Sequence, residues 1–262
     1  MPHAVLAAPP LPLTNEQRTV LEAVRTSALA YTARLPDFIC TQVTHRVTRG
    51  RDGLDVPHGH YISEVLPGAV IESDEIEEQL TYFQQRENYA VVAINRHNPN
   101  GVRHAEIPGS VTIGEFGSEL RGIFDPRSQT EFRWDRTAKL RGRTVWVFRF
   151  RVPQAAGMPI IAKGTGQEIV VPYDGEVFVD VQSREVLRLT SRVEIPHGFP
   201  LVEAERELDY EPVEIAGKIF TLPLHAAVRM EDNTYSYVNT IDFKKYQRYA
   251  TTSTIHYDGG PQ

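Results

Sequence analysis

Residues 174–189 constrain the fold more than any other stretch of the chain. They read Asp-Gly-Glu-Val-Phe-Val-Asp-Val-Gln-Ser-Arg-Glu-Val-Leu-Arg-Leu. Asp174-Gly175 is a doublet that tolerates the positive φ of a two-residue hairpin turn, and Gln182-Ser183-Arg184 makes a second reversal. The segments on either side alternate apolar and polar residues, so three consecutive strands are expected to fold back as an antiparallel meander. The same pattern recurs downstream, with strands predicted at 167–173, 176–181, 186–195, 201–211, 218–230 and 234–246. Upstream, 129–136 and 143–152 join across Leu140-Arg141-Gly142.

The strands are sided. Trp146, Phe148, Phe150 and Val152 share one face of 143–152, while Arg149 and Arg151 occupy the other. Phe220, Leu222, Leu224, Ala226, Val228 and Met230 line a common face, as do Tyr235, Tyr237, Ile241 and Phe243. Such strands belong to a sheet that buries one side only. Strands at 38–49, 61–66, 75–84 and 89–96 bring the total to about eleven, more than a flat open sheet holds without curling. The expected class is mainly β (α+β): a large curved antiparallel sheet, or open half-barrel, with two helices covering its apolar face.

The first helix is signalled twice. Thr14 and Gln17 fit a capping box, and Val20, Leu21, Val24, Ala28, Tyr31 and Leu35 follow at helical spacing. The helix is predicted over 15–34, ended by Pro36, which disfavours helical geometry at Leu35. The second is predicted over 113–124, with a capping box at Thr112 and Glu115 and an apolar stripe of Ile113, Phe116, Leu120, Ile123 and Phe124. Gly114, Gly117 and Gly122 weaken it by roughly 1 kcal/mol each relative to alanine, so packing must hold it. Residues 1–13 read as a flexible lead-in and 14–257 as one half-barrel domain. Ala4-Val5-Leu6-Ala7-Ala8 is apolar but short and lacks a basic leader, so it does not read as a signal peptide.

Several function classes are disfavoured. A net charge of −6 argues against a nucleic-acid partner held by phosphate contacts. The single cysteine, Cys40, rules out an intrachain disulfide and a cysteine-based zinc site, and reads as a small buried hydrophobe. No apolar run approaches the ~18–20 residues that span a bilayer. His58-Gly59-His60 is the one close histidine pair, and two ligands do not complete a zinc site. Lys163-Gly164-Thr165-Gly166 lacks the spacing of a phosphate loop, and no nucleophile-elbow or nucleotide motif is present. Glu203, Glu205, Glu207, Asp209 and Glu211 alternate along one strand face. Cross-strand pairing with Arg188 and Arg192 on the solvated side explains that row better than calcium, which needs 6–8 oxygens around it. Neither a catalytic residue nor a metal or cofactor site is assigned.

The segment Gly175-Glu-Val-Phe-Val-Asp180-Val-Gln-Ser183-Arg-Glu-Val186-Leu187-Arg188, within this order of helix, strands, helix and meander, resembles the LolA/LolB-like lipoprotein-carrier superfamily. Leu35-Pro-Asp-Phe-Ile-Cys-Thr41 and the run from Gly114 to Pro126 are similar to exported bacterial proteins of that type. The resemblance implies a periplasmic or otherwise exported, non-enzymatic protein. It would hold a lipid or lipoprotein acyl chain in a helix-lidded apolar cavity. The candidate lining is Phe116, Leu120, Ile123, Phe124, Trp146, Phe148, Phe150, Phe220, Leu222, Tyr235 and Tyr237. The alternative is an envelope protein–protein interaction module with a filled core. A third reading, a hydrolase assembled from distant residues, needs a Ser/His/acid or metal cluster in a polar pocket.

Overall fold

The computed structural model describes residues 13–50, 70–107, 116–162 and 165–249. The chain opens with α1 (Asn15–Arg34), and the Thr14 side chain and Gln17 form the reciprocal capping box. Leu35, just before Pro36, is extended, so the helix stops there. Strands β1 (Phe38–Gly50), β2 (Val70–Phe83) and β3 (Arg86–Ile94) follow, then α2 (Ser118–Phe124), β4 (Glu131–Leu140) and β5 (Arg143–Val152). A separate two-stranded ribbon, β6 (Met158–Ala162) with β7 (Gln167–Val171), leads into the five-strand run β8 (Tyr173–Asp180), β9 (Val186–Val193), β10 (Leu201–Ile215), β11 (Lys218–Asp232) and β12 (Tyr235–Arg248).

Ten of these strands form one antiparallel sheet in the order β3-β2-β1-β12-β11-β10-β9-β8-β5-β4. The pairing of β1 with β12 joins the two ends of the described chain, from Phe38 opposite Arg248 to Gly50 opposite Tyr235. Strands β3 and β4 are the two ends of that order and do not pair with each other among the described residues, so the sheet stays open; beyond β3 a single bridge joins Ala90 to Arg103. Three tight reversals use paired left-handed residues: Gln84 and Gln85 between β2 and β3, Arg141 and Gly142 between β4 and β5, and Ala216 and Gly217 between β10 and β11.

Asp174-Gly175 is not a turn but part of β8, with Asp174 opposite Arg151 and Arg192, and Gly175 opposite Phe150 and Ser191. Pro172, between β7 and β8, lacks a backbone N–H to continue a ladder, and the chain leaves the ribbon there. Glycine is needed at 175 for space: a Cβ would sit 1.9 Å from the Thr190 carbonyl oxygen and 3.0 Å from a Phe150 ring carbon. The second reversal is as expected. Asp180 accepts from the backbone N–H of Gln182 at 2.8 Å and Ser183 at 2.7 Å, and Arg184 takes φ 64°. Residues 158–162, where no strand is predicted, pair with β7. The strand expected at 61–66, His58, His60, Lys163, Gly164 and the box at Thr112 and Glu115 lie outside the described residues.

Both helices lie on one face of the sheet. Val20, Leu21, Val24, Ala28 and Tyr31 of α1 join a single buried cluster with Phe116, Leu120, Ile123 and Phe124 and with residues of β1, β2, β5, β8–β12. Gly117 caps α2 with φ 111°, a conformation that favours glycine. The helix is therefore a seven-residue segment rather than the longer one expected. Its rings hold it in place: Phe116 meets Phe38 and Phe243 at 5.1 and 5.2 Å, and Phe124 stacks on Phe132 at 5.2 Å.

The opposite face is less solvated than its sequence suggests. Val145, Val147, Phe178 and Leu187 form a second small apolar cluster there, with the Arg136 guanidinium over the Phe178 ring. Beside it runs a ladder of charge. Arg188 pairs with Asp209 (2.6 Å) and Glu207 (3.1 Å), and Arg192 with Glu203 (3.4 Å). Arg229 pairs with Glu205 (2.7 Å), and Arg141 with Asp209 (3.1 Å) and Glu211 (3.2 Å). The expected pairs form, but Glu207 and Arg229 are 2% and 7% exposed, so the middle of this row is buried while Arg192 and Glu211 stay solvated at its ends. It runs mid-sheet, between strands whose long arginine stems lie across their carboxylate neighbours. Burial raises the carboxyls of Glu205 and Glu207 above their ordinary values, against the opposing pull of Arg229 and Arg188.

Candidate functional site

The space between helices and sheet is where an apolar ligand would have to sit, and it is filled. Phe116, Leu120, Ile123, Phe124, Phe148, Phe150 and Leu222 are each buried within the main cluster, with Trp146 and Phe220 packed half-buried against it. Tyr235 and Tyr237 stand apart at the β11–β12 hairpin. Their rings meet at 6.2 Å, and the Tyr237 hydroxyl donates to Asp232. The structure thus brings nine of the eleven candidate residues together and leaves these two outside.

A gap of about 30 Å³ remains at the seam where α1, α2 and the sheet meet. Of the sequence candidates only Leu120 lines it, beside Val24 and Ala28 of α1 and Val186 and Tyr210 of the sheet. Sequence reasoning missed the polar side of this lining, which includes Tyr31, Arg34, Arg184 and Glu185 beside Ser27 and Thr221. No local motif marks them, because α1 and the β8–β9 turn meet only on folding.

Polar groups pin the underside of α2. Glu119 accepts from the Ser191 hydroxyl at 2.9 Å and from the Arg206 guanidinium at 3.0 Å. Farther along the same face, Glu78 accepts from Gln42 at 3.2 Å and pairs with His104 Nδ1 at 2.7 Å, while the His104 ring stacks on Tyr89 at 4.6 Å. Cys40 is 2% exposed, and burial, with Glu87 adding, pushes its thiol up to about 12. Among the described residues there is no group of three or more His, Cys, Asp or Glu that could hold a metal ion. Nor is any described helix long and apolar enough to cross a membrane.

Fold and site together define an open antiparallel sheet with a helical layer on its inner face, where a continuous apolar cluster is interrupted by the polar groups around Glu119 and Glu78 and by the seam. No family model matches the chain, and no curated protein matches its sequence. Among solved structures it is similar to a LolA superfamily protein from Nitrosomonas europaea, at 9% identity and a TM-score of 0.40, over 88% of this chain and 94% of that one. It is similar to a DUF1329 family protein from Desulfovibrio piger, at 10% identity and a TM-score of 0.37, over 89% and 95%. The lipoprotein LppX of Mycobacterium tuberculosis matches at 10% identity and a TM-score of 0.29, over 90% and 99%.

Proposed function

We propose that this protein is a non-enzymatic, exported binder of an apolar chain, such as a lipid or lipoprotein acyl chain. The chain would be taken up between the helical layer and the inner face of the sheet. One observation carries the reading: part of the roof over the largest apolar layer is a seven-residue, glycine-capped helix beside α1, and the residual gap lies at the seam between them. A helix this short has no independent stability and stays only while its apolar contacts and the bonds of Glu119 to Ser191 and Arg206 hold. Ligand pockets for small molecules measure roughly 300–1,000 Å³, so uptake requires the layers to part and Leu120 and its neighbours to repack.

Native mass spectrometry of delipidated full-length chain mixed with dioleoylglycerol tests this. One bound lipid per chain is the expected result, and no uptake at any ratio refutes it. The dense filling of the core favours a second reading, an envelope interaction module with no ligand. That reading takes over if delipidated protein takes up nothing and a pull-down returns one defined protein partner.

A further inference from the structure

The seam gap is built unlike the rest of the inner face. Two guanidinium groups line it, Arg34 from the last turn of α1 and Arg184 from the β8–β9 turn, and neither pairs with a carboxylate among the described residues. Arg34 spends one nitrogen on Ser27, donating to its carbonyl at 2.9 Å and its hydroxyl at 2.8 Å. Arg184 lies over the Trp146 ring at 4.5 Å, and its Nη1 is buried with no hydrogen-bond partner. The Tyr31 hydroxyl, also in the lining, is buried and has no partner either. The one carboxylate in the lining, Glu185, accepts from the Thr221 hydroxyl at 2.7 Å. Two cations against one anion leave the gap with a surplus positive charge.

The unmet groups are all donors. A guanidinium has no acceptor, and burial lifts the Tyr31 phenol well above its ordinary value, so it stays a neutral O–H donor. Leaving buried donors unpaired is unfavourable, and the complement with the largest return is an oxyanion, because charge-assisted hydrogen bonds are about twice as strong as neutral ones. Size narrows the class. A gap of about 30 Å³ holds roughly two waters' worth of probe space, which suits a carboxylate better than a phosphate ester. The rest of the wall, including Val24, Leu120 and Val186, is aliphatic.

We propose that this seam is a receptor for the carboxylate of an aliphatic acid, with Arg184 and Tyr31 as donors inside the gap and Arg34 at its rim. The carboxylate site stands on its own geometry. The aliphatic tail alone rests on the apolar-chain reading above.

Titrations of the full-length, delipidated chain with acetate, dodecanoate and dodecanol at fixed ionic strength test this, read by the arginine Nε–Hε resonances and by calorimetry. Dodecanoate is expected to bind and to shift the Arg184 resonance, while dodecanol leaves that resonance unmoved. Arg184→Gln should weaken dodecanoate about tenfold or more. Tyr31→Phe, which removes only an unpartnered hydroxyl and leaves the ring packed, should weaken it several-fold. Acetate shifting Arg184 with no added affinity from the tail supports the carboxylate site and overturns the apolar-chain reading. Binding of dodecanol and dodecanoate with equal affinity, or an Arg184 resonance that none of the probes moves, overturns the carboxylate site whatever becomes of the chain.

Discussion

Gly175→Ala tests the most consequential difference between pattern and structure. In β8 the added Cβ would lie 1.9 Å from the Thr190 carbonyl oxygen and 2.8 Å from its carbon, both backbone atoms. Neither can swing away as a side chain would, so β8 and β9 must separate locally by more than 1 Å relative to van der Waals contact. Overpacking of that kind costs typically 1–3 kcal/mol, and each ladder hydrogen bond that lengthens adds about 0.5–1.5 kcal/mol. Relief of glycine's poor strand propensity returns roughly 0.5–1 kcal/mol. The net loss is about 2–4 kcal/mol, or roughly 5–15 °C in melting temperature for a chain of this size. Urea unfolding followed by circular dichroism reads it directly. A loss under about 1 kcal/mol refutes the placement of Gly175 inside the sheet.

Asp180→Ala strands the N–H groups of Gln182 and Ser183 and the Arg143 guanidinium, and should cost roughly 2–3 kcal/mol by urea unfolding at pH 7. Burial alone would raise the Asp180 carboxyl, but those two N–H groups and Arg143 bring it below its ordinary value. Its contribution is therefore present above the unfolded value near 3.9 and is lost as pH falls through the folded one. The gap between wild type and variant should narrow in acid, and a gap that widens contradicts the assignment. Glu207 has the opposite sign: burial first, then Asp209, raises it against Arg188, so its stability contribution is present below the unfolded value and lost as pH rises. Glu207→Gln should gain stability relative to wild type between pH 4 and pH 7, and a relative loss over that range would sink the assignment. Cys40 should react with a water-soluble thiol reagent only after unfolding, and labelling of native protein within minutes at pH 8 would show the strand opens there. Leu120→Ala should cost about 2–5 kcal/mol and enlarge the seam gap; a melting temperature unchanged from wild type would mean α2 does not pack as described.

What could be read from sequence follows the range of the interactions involved. The ends of α1 are local chemistry, a reciprocal box at Thr14 and Gln17 and a proline at 36, and both fell where they were expected. The reversal at Arg141-Gly142 is local too. Asp174-Gly175 misled because the doublet that suits a tight turn also suits a site where the Thr190 carbonyl of the neighbouring strand leaves no room for a Cβ, and only the pairing partner tells them apart. The ribbon strand at 158–162 was missed because its Pro159 and the flanking glycines mimic a loop, and its pairing with β7 is non-local. At the site, apolar periodicity found the filled layer, but Arg34 and Arg184 are 150 residues apart and no spacing rule connects them.

The two faces of the sheet divide the work of holding it together. On the outer face, β9, β10 and β11 are tied by buried pairs in fixed register: Arg188 to Asp209 and Glu207, and Arg229 to Glu205. A buried ion pair contributes little net stability over an apolar pair, but removing one partner is severe because the other is left buried and uncompensated. The ladder therefore resists slippage of these strands more than it adds to folding free energy. That resistance does not depend on the inner layer, where Phe116, Leu120 and Phe124 hold α2 by dispersion and burial alone, apart from the bonds of Glu119. Apolar contacts have no direction and re-form in new arrangements, whereas a register set by charge pairs does not. A sheet fixed from outside can thus let its inner layer part and repack around a guest without losing the pairing of its strands. Truncating Arg188 to methionine should accordingly disturb β9–β10 hydrogen exchange far more than Leu120→Ala does, and the reverse order of effects would remove this argument for a repacking inner face.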